Sequence, residues 1–327
     1  MRNAFPILSL LTLIFCFCVI FSLLIGSVNI SLNELWAIMM GRDHGYKYSL
    51  IMELRLPRAL GAFVTGGMLS LAGALMQVLL RNPLAEPYVL GVSGGAAVAA
   101  LISMMAGLST GWLLQNAFLG ALFSIIIVFG LAHKNGAWTT SRLLLTGVVI
   151  ASGWGAVISL LLSLAPESNL PGMLFWLMGD LSQAQNTTPY IIILIAGLAL
   201  CMPMARDLNI LSYGEQQASA LGVSIKAVRI GIYFIASILT AAAVTLAGSI
   251  GFVGLVVPHI IRLVFGNDYR MLLPASVLLG GSLLLVADTF ARSIVAPQQL
   301  PVGVITALLG VPTFLYLLQR QNTGKSF

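Results

Sequence analysis

The feature that most constrains this chain is a charge-free stretch with arginines at both ends. Arg58 and Arg81 are separated by 22 residues, none of which is charged. At 1.5 Å per residue, a helix of that length spans about 33 Å, which is enough to cross a hydrocarbon core about 30 Å thick. The stretch therefore predicts a membrane-spanning helix whose two ends are fixed by charge.

The composition extends this prediction to the whole chain. Hydrophobic residues make up 59% of the sequence and charged residues 8%, whereas a soluble domain carries about 25% charged residues. Apolar runs recur along the chain. They predict an all-α polytopic membrane protein, a single transmembrane domain over residues 1–327, with about ten transmembrane helices. We expect these near 6–28, 58–80, 88–107, 112–132, 143–165, 188–205, 227–248, 250–265, 272–291 and 301–318.

The basic residues predict how the helices are oriented, because cytoplasmic loops carry the excess of Lys and Arg. An inner N-terminus puts eleven of the 16 basic residues inside and five outside. This favours a membrane protein with both termini in the cytoplasm. The scatter of the basic residues argues against a nucleic-acid partner. The inside set is Arg2, Arg81, Lys134, Arg142, Arg206, Lys226, Arg229, Arg262, Arg270, Arg320 and Lys325, and the outside set is Arg42, Lys47, Arg55, Arg58 and Arg292.

Residue patterns for catalysis or metal binding do not stand out. His259 has no second ligand at a suitable spacing, and the three cysteines lie in apolar runs with no metal or disulfide pattern (Cys16, Cys18 and Cys201). The segment Thr323-Gly324-Lys325-Ser326 is similar to the end of a phosphate loop, but the earlier glycine would fall at Gln319. We therefore expect no cofactor, no metal and no ATPase site in this chain.

Two loops carry helix-start signals. Ser31 and Glu34 have the spacing of a capping box, which predicts a short surface helix with Leu35, Trp36 and Met39 dipping into the membrane interface.

The largest inner loop, about 206–229, repeats the capping-box spacing at Ser212 and Glu215. It predicts a helix to Leu221, ended by Gly222 in the left-handed conformation that glycine adopts most easily. So short a helix is marginal alone in water and needs a surface to dock on.

Several motifs together resemble the FecCD-type permease family, the membrane subunits of ABC importers for iron-siderophores, haem and vitamin B12. They extend from about residue 55 to 315. The sequence departs from the family pattern at Ser249, at Tyr269 and at Gln299, where a glutamate usually precedes Leu-Pro. The motifs are Arg55-Leu56-Pro57-Arg58, Arg81-Asn82-Pro83-Leu84-Ala85, Leu90-Gly91-Val92-Ser93-Gly94, Gly214-Glu215, Ala220-Leu221-Gly222-Val223, Gly251-Phe252-Val253-Gly254, Ala287-Asp288, Ala291-Arg292 and Leu300-Pro301-Val302-Gly303.

The resemblance implies the fold and partners of a type II ABC importer: a homodimer of ten-helix subunits in membrane lipid, two cytoplasmic ATP-binding-cassette ATPase subunits, and a periplasmic substrate-binding protein. It implies that Arg55, Arg58 and Arg292 dock the binding protein. Within the membrane, Asp288 is expected to pair with Arg292 one turn later.

The resemblance also assigns two further groups of residues. Contact with the ATPase, and hence coupling, is expected at Ser212, Glu215, Gln216, Ala218, Leu221 and Gly222. The translocation pathway is expected along the fifth span, at Ser152, Gly155, Ser159 and Ser163.

The sequence is compatible with three functions. The first is an ABC importer permease for cobalamin, a ferric siderophore or haem, with a slight preference for cobalamin. The second is a secondary transporter driven by an ion gradient, which would need a midplane acid in a span. The third is an intramembrane enzyme, which would need a clustered nucleophile and base.

Overall fold

The computed structural model describes residues 4–322 apart from 27, 43–44, 133–139, 183 and 185. Arg2, Lys134, Lys325 and the 323–326 segment considered above lie outside the described residues. The described part of the chain is helical and contains no strand. Its α-helices are α1 (Ala4–Leu24), α2 (Leu32–Met39), α3 (Tyr46–Ser49), α4 (Leu56–Leu79), α5 (Val92–Met105), α6 (Thr110–Ala132), α7 (Thr140–Leu164), α8 (Leu170–Leu177), α9 (Thr188–Ser212), α10 (Glu215–Ala220), α11 (Ile225–Ala247), α12 (Val253–Phe265), α13 (Tyr269–Ser293) and α14 (Val302–Asn322).

The described helices agree with the predicted ten apolar runs. Seven helical segments are long and apolar enough to cross a membrane: α1, α3 continued into α4, α6, α7, α9, α11 and α13. Three shorter apolar helices, α5, α12 and α14, complete the set. The predicted all-α polytopic fold is therefore confirmed.

Helix α4 lies at the centre of the bundle, and small residues let its neighbours approach it closely. A Cβ atom placed on Gly73 would lie 1.9 Å from the carbonyl oxygen of Gly254 in α12, and one on Gly66 would lie 2.2 Å from that of Gly280 in α13. Small residues are the usual means by which membrane helices pack, since lipid provides no hydrophobic drive between them. In contrast, most of α7 lies at the surface of the single chain.

Two of the short helices begin inside the bundle, after an irregular segment. Residues 82–86 and a 3₁₀ turn at Pro87–Leu90 lead into α5, and residues 248–252 lead into α12. Gly254, at the start of α12, touches Leu69 in the middle of α4. The sequence prediction that residues 88–107 and 250–265 are continuous helices was therefore too long at both starts.

Helix α2 has the predicted capping box. Ser31 Oγ accepts the Glu34 N–H at 3.3 Å, and Glu34 Oε2 accepts the Ser31 N–H at 2.9 Å. Hydrogen bonds from Lys47 and from Ser31 lower the pKa of Glu34 to about 2. Trp36 and Met39 are exposed, but Leu35 is buried, so its predicted place in the interface was wrong. It packs in a small apolar cluster beside α1.

Candidate functional site

The α10 end of the bundle, where α4 finishes and α11 begins, is organised around Glu215. Its carboxylate lies 2.8 Å from the Arg81 guanidinium and also pairs with Arg229. Arg81 follows α4 and Arg229 lies in the first turns of α11. One carboxylate therefore ties α10 to the ends of two long helices.

The predicted capping box at Ser212 is wrong. Ser212 is the last residue of α9, and its hydroxyl donates to the Asn209 carbonyl at 2.7 Å. Glu215 is held by the two arginines instead. Gly214 separates the helices at φ +128°, a conformation that side chains rarely adopt.

The end of α10 follows the prediction. Gly222 has φ +77°. The Val223 N–H donates to the Ala218 carbonyl at 2.9 Å, and the Gly222 N–H donates to the Ser219 carbonyl at 3.0 Å. These two bonds form a Schellman motif, which satisfies carbonyl groups that the helix itself leaves free.

Helix α10 has one anchored face and one free face. Ala218 is completely buried against the bundle, whereas Gln216 and Gly222 are exposed. Leu221 is 66% exposed and Tyr213, just before the helix, is 76% exposed. Exposed apolar side chains next to a fixed backbone are typical of a surface that meets another protein.

Polar links hold the remaining helices of the α10 end. The Asn209 amide donates to Asp268 at 2.8 Å and accepts the Tyr269 N–H at 2.8 Å, which joins α9 to the start of α13. The bond from Asn209 holds the pKa of Asp268 below its usual value. Arg262 in α12 donates to Gln77 in α4. The surface under α10 is therefore a connected unit.

Three arginines mark the opposite end of the bundle, which we call the arginine end: Arg55, Arg58 and Arg292. The sequence predicted that they face outward to a partner. Arg55 is instead 4% exposed, and its guanidinium donates to the backbone carbonyls of Leu23 and Leu24, which end α1, and of Val28 after it. It thus stabilises the end of α1 by occupying carbonyls that would otherwise be unpaired.

Asp288 is the carboxylate among these arginines, and it is 1% exposed. Arg58 Nη2 lies 2.9 Å and Arg58 Nε 3.0 Å from Asp288 Oδ1, whereas the expected partner, Arg292, is farther away at 3.7 Å. Arg58 Nη1 donates to Gln299 Oε1 at 2.8 Å. The neutral amide at 299 thus still accepts a hydrogen bond but brings no charge.

The arginine end retains a net positive charge beside a small cleft. The cleft has a volume of about 180 Å³ and is lined by all three arginines together with Leu50, Leu54, Pro297 and Gln299. The Arg58 side chain is 15% exposed and that of Arg292 is 9% exposed. Among the described residues, Asp288 pairs with Arg58 and Arg292, whereas Arg55 binds backbone carbonyls.

Comparisons with known proteins identify the family of this chain. The model of the FecCD transport family matches residues 13–320. The chain belongs to the FecCD transport family. The chain is 38% identical to the hemin transport system permease protein HmuU of Yersinia pestis, over 92% of this chain and 91% of HmuU. It is 37% identical to the vitamin B12 import system permease protein BtuC of Photorhabdus laumondii, over 98% and 94%. A solved structure described as an inward-facing ABC transporter of metal-chelate type has a TM-score of 0.85 at 31% identity, covering 96% and 99%.

This FecCD permease is thus an ABC importer permease subunit, which is not itself an enzyme. The predicted pathway residues Ser152, Gly155, Ser159 and Ser163 are all exposed on α7 of the single chain. The three hydroxyls donate to carbonyls of their own helix, for example Ser152 Oγ to Val148 at 3.0 Å. The face that they form is therefore smooth and weakly polar.

Sequence reasoning missed a junction between the two irregular segments that precede α5 and α12. Tyr88 Oη donates to the Ile250 carbonyl and accepts the Ile250 N–H, both at 3.0 Å. Glu86 Oε1 accepts the Phe252 N–H at 2.8 Å, just before α12. Glu86 is half-buried there. The signal was the pair Pro83 and Pro87, which disfavours helix at the residue before each proline.

Removing the Tyr88 hydroxyl tests the importance of this junction. Tyr88→Phe leaves one N–H and one C=O of Ile250 without their partner, a loss of about 1–3 kcal/mol in the free energy of unfolding. We expect a lower thermal midpoint of the purified permease, with no change for the matched variant Tyr46→Phe, whose side chain is 70% exposed. Equal midpoints for both variants would contradict this role.

Proposed function

We propose that this permease forms a homodimer that imports a bulky metal chelate or corrinoid across the inner membrane. Two ATPase subunits bind at the α10 end, in the cytoplasm together with both termini, and a periplasmic substrate-binding protein docks at the arginine end. The observation that carries the proposal is α10 itself, a six-residue helix fixed to two membrane helices through Glu215 and exposed on its other face.

The α10 element fits force transmission from an ATPase. A helix this short does not hold its shape alone, so its position depends on Arg81, Arg229 and the buried Ala218. A partner that moves α10 therefore also moves the ends of α4 and α11. ATP-driven closure of two ATPase subunits would then change the packing of the spans between two arrangements.

The arginine end fits the docking of an acidic partner. The three arginines line one cleft and have only Asp288 as a carboxylate partner among the described residues. Because Arg58 and Arg292 are held by the bundle, they would meet an acidic group of the binding protein without loss of side-chain freedom, whereas Arg55 is committed to backbone carbonyls. Their largest effect is expected on the rate and orientation of encounter.

The exposed face of α7 fits the dimer axis and the pathway. Ser152, Gly155, Ser159 and Ser163 are small, and their hydroxyls are already bonded within the helix. Such a wall lets a large ligand pass without binding it tightly. The ligand is vitamin B12, haem or a ferric siderophore, since the HmuU and BtuC relatives are almost equally similar to this chain.

Co-expression of the permease with the ATPase and the substrate-binding protein encoded by neighbouring genes tests the proposal. We expect tagged permease to purify with two ATPase subunits. We expect it to bind the substrate-binding protein only when both ligand-binding lobes of that protein are intact. Mass spectrometry of the ligand retained by the binding protein identifies the substrate. A permease that purifies without any ATPase, and that transports under an ion gradient, would support a secondary transporter instead.

A further inference from the structure

A cavity at the arginine end has no part in the functions proposed above. Its volume is about 650 Å³, and it lies between the start of α6, the helix α8 and the end of α11. Its wall combines aromatic side chains, such as Phe175 and Trp176, with polar ones, such as Asp180 and Ser182. It can therefore take a molecule that has both an apolar and a polar part.

The cavity continues into a second space between α6 and α9. This groove has a volume of about 370 Å³ and shares Leu114 and Thr245 with the cavity. The rest of its wall is mainly apolar: Gln115, Phe118, Leu119, Pro189, Tyr190 and Ile193. Neighbouring side chains on both helices point outward, with Leu119 60% and Ile192 61% exposed. The groove thus opens sideways, on a face that membrane lipid surrounds.

Two polar groups along the cavity and the groove lack one kind of partner among the described residues: Thr245 lacks a hydrogen-bond partner, and Asp180 lacks a cationic one. The hydroxyl of Thr245 is buried and has no hydrogen-bond partner in the described structure. Asp180 accepts hydrogen bonds from the Ser182 N–H at 2.7 Å and the Ser182 hydroxyl at 2.6 Å. Within the described ranges, its carboxylate has no Lys, Arg or His nitrogen within 4.0 Å. A carboxylate in this setting favours a cationic partner.

The proposed pathway residues on α7, Ser152, Gly155, Ser159 and Ser163, do not line this cavity. Pro171 and Phe175 on α8 face the cavity. At the end of α8, the carbonyl oxygen of Met178 packs against Gly303 in α14. A Cβ atom placed on Gly303 would lie 2.2 Å from this oxygen. Helix α8 therefore stands between the cavity and α14.

We propose that the cavity and groove together bind one phospholipid with a primary ammonium headgroup, as in phosphatidylethanolamine. One acyl chain lies in the groove between α6 and α9, and the ammonium group donates to Asp180. The lateral opening favours a membrane lipid as the occupant. The carboxylate favours an ammonium with three N–H donors over a glycerol headgroup, or over a quaternary choline, which has none.

Native mass spectrometry of the detergent-purified permease tests this site, without an ATPase or a binding protein. The probes are phosphatidylethanolamine and phosphatidylglycerol with identical acyl chains, added in equal amounts. We expect the permease to retain one phosphatidylethanolamine at least about tenfold more often, which corresponds to about 1.4 kcal/mol. Asp180→Asn should bring the two lipids to parity, and Leu114→Trp should remove both by filling the groove.

Glu167→Gln provides the matched control, because it removes an exposed carboxylate from the loop before α8. It should leave the lipid preference unchanged. Equal retention of the two lipids by the unaltered permease would overturn the proposal, as would a lipid that stays bound in Leu114→Trp. If a variant does not fold, the same question is tested on the unaltered permease with N-methylated phosphatidylethanolamines. Retention should fall as N–H donors are lost, and constant retention would exclude the Asp180 contact.

Discussion

Glu215→Lys is expected to uncouple ATP hydrolysis from transport while the permease stays folded. The change removes two ion pairs and places a third cation beside Arg81 and Arg229. Partly exposed pairs contribute about 0.2–1 kcal/mol each, so the bundle should survive. The docked position of α10 depends on these pairs, however. Losing both lowers the population of the docked position by about two- to thirtyfold, and repulsion lowers it further.

The measurement is ligand uptake per ATP hydrolysed, in proteoliposomes that contain the complete transporter. We expect this ratio to fall at least about tenfold, with little change in the thermal midpoint. Glu167→Lys makes the same charge change at an exposed position in the loop before α8 and should leave the ratio unaltered. A restored ratio in the double variant Arg81→Glu with Glu215→Arg would support a direct ion pair between positions 81 and 215. A Glu215→Lys permease with normal coupling would rule out α10 as the transmitting element.

Asp288→Ala is expected to have the largest effect on stability. Asp288 is 1% exposed and contacts Arg58 and Arg292. Arg55 lines the same cleft as these two arginines. Removing one partner of a buried ion pair costs about 3–5 kcal/mol, because it leaves a buried charge without compensation. We expect poor recovery of folded permease and a strongly lowered thermal midpoint, measured by fluorescence-detected size-exclusion chromatography.

Gln299→Glu is the informative companion to this variant. It supplies a carboxylate 2.8 Å from Arg58 Nη1, at the position of the present amide oxygen. We expect it to leave the midpoint unchanged or to raise it, and to recover part of the loss in the double variant with Asp288→Ala. An Asp288→Ala permease as stable as the unaltered protein would contradict the account of the arginine end.

The spans were predictable because lipid imposes a strong and local rule. A charge-free run of sufficient length between Arg58 and Arg81 leaves the backbone little choice except a helix, since all its hydrogen bonds must be satisfied internally. The same rule failed where two apolar runs begin with irregular backbone, before α5 and α12. Before α12, the backbone groups of Ile250 and Phe252 are satisfied by Tyr88 and Glu86 from a distant segment, and such partners are not visible in hydropathy.

The arginines illustrate a second limit. Their position at the ends of helices was correct, but their contacts depend on where α1 ends and where α13 packs. Arg55 binds carbonyls about 30 residues earlier, and Arg58 binds a carboxylate 230 residues later. No periodicity links such positions. The Ser212 capping box failed for a related reason, since Arg81 and Arg229 compete for Glu215 and both are distant in sequence.

ATP-dependent uptake by the reconstituted transporter tests the central claim most directly. The permease, its ATPase and its ligand-loaded binding protein are placed in proteoliposomes with ATP supplied to the α10 side. We predict ligand accumulation that requires ATP and all three components and that ionophores do not reduce. Accumulation by the permease alone under an ion gradient, with no need for ATP, would contradict the account.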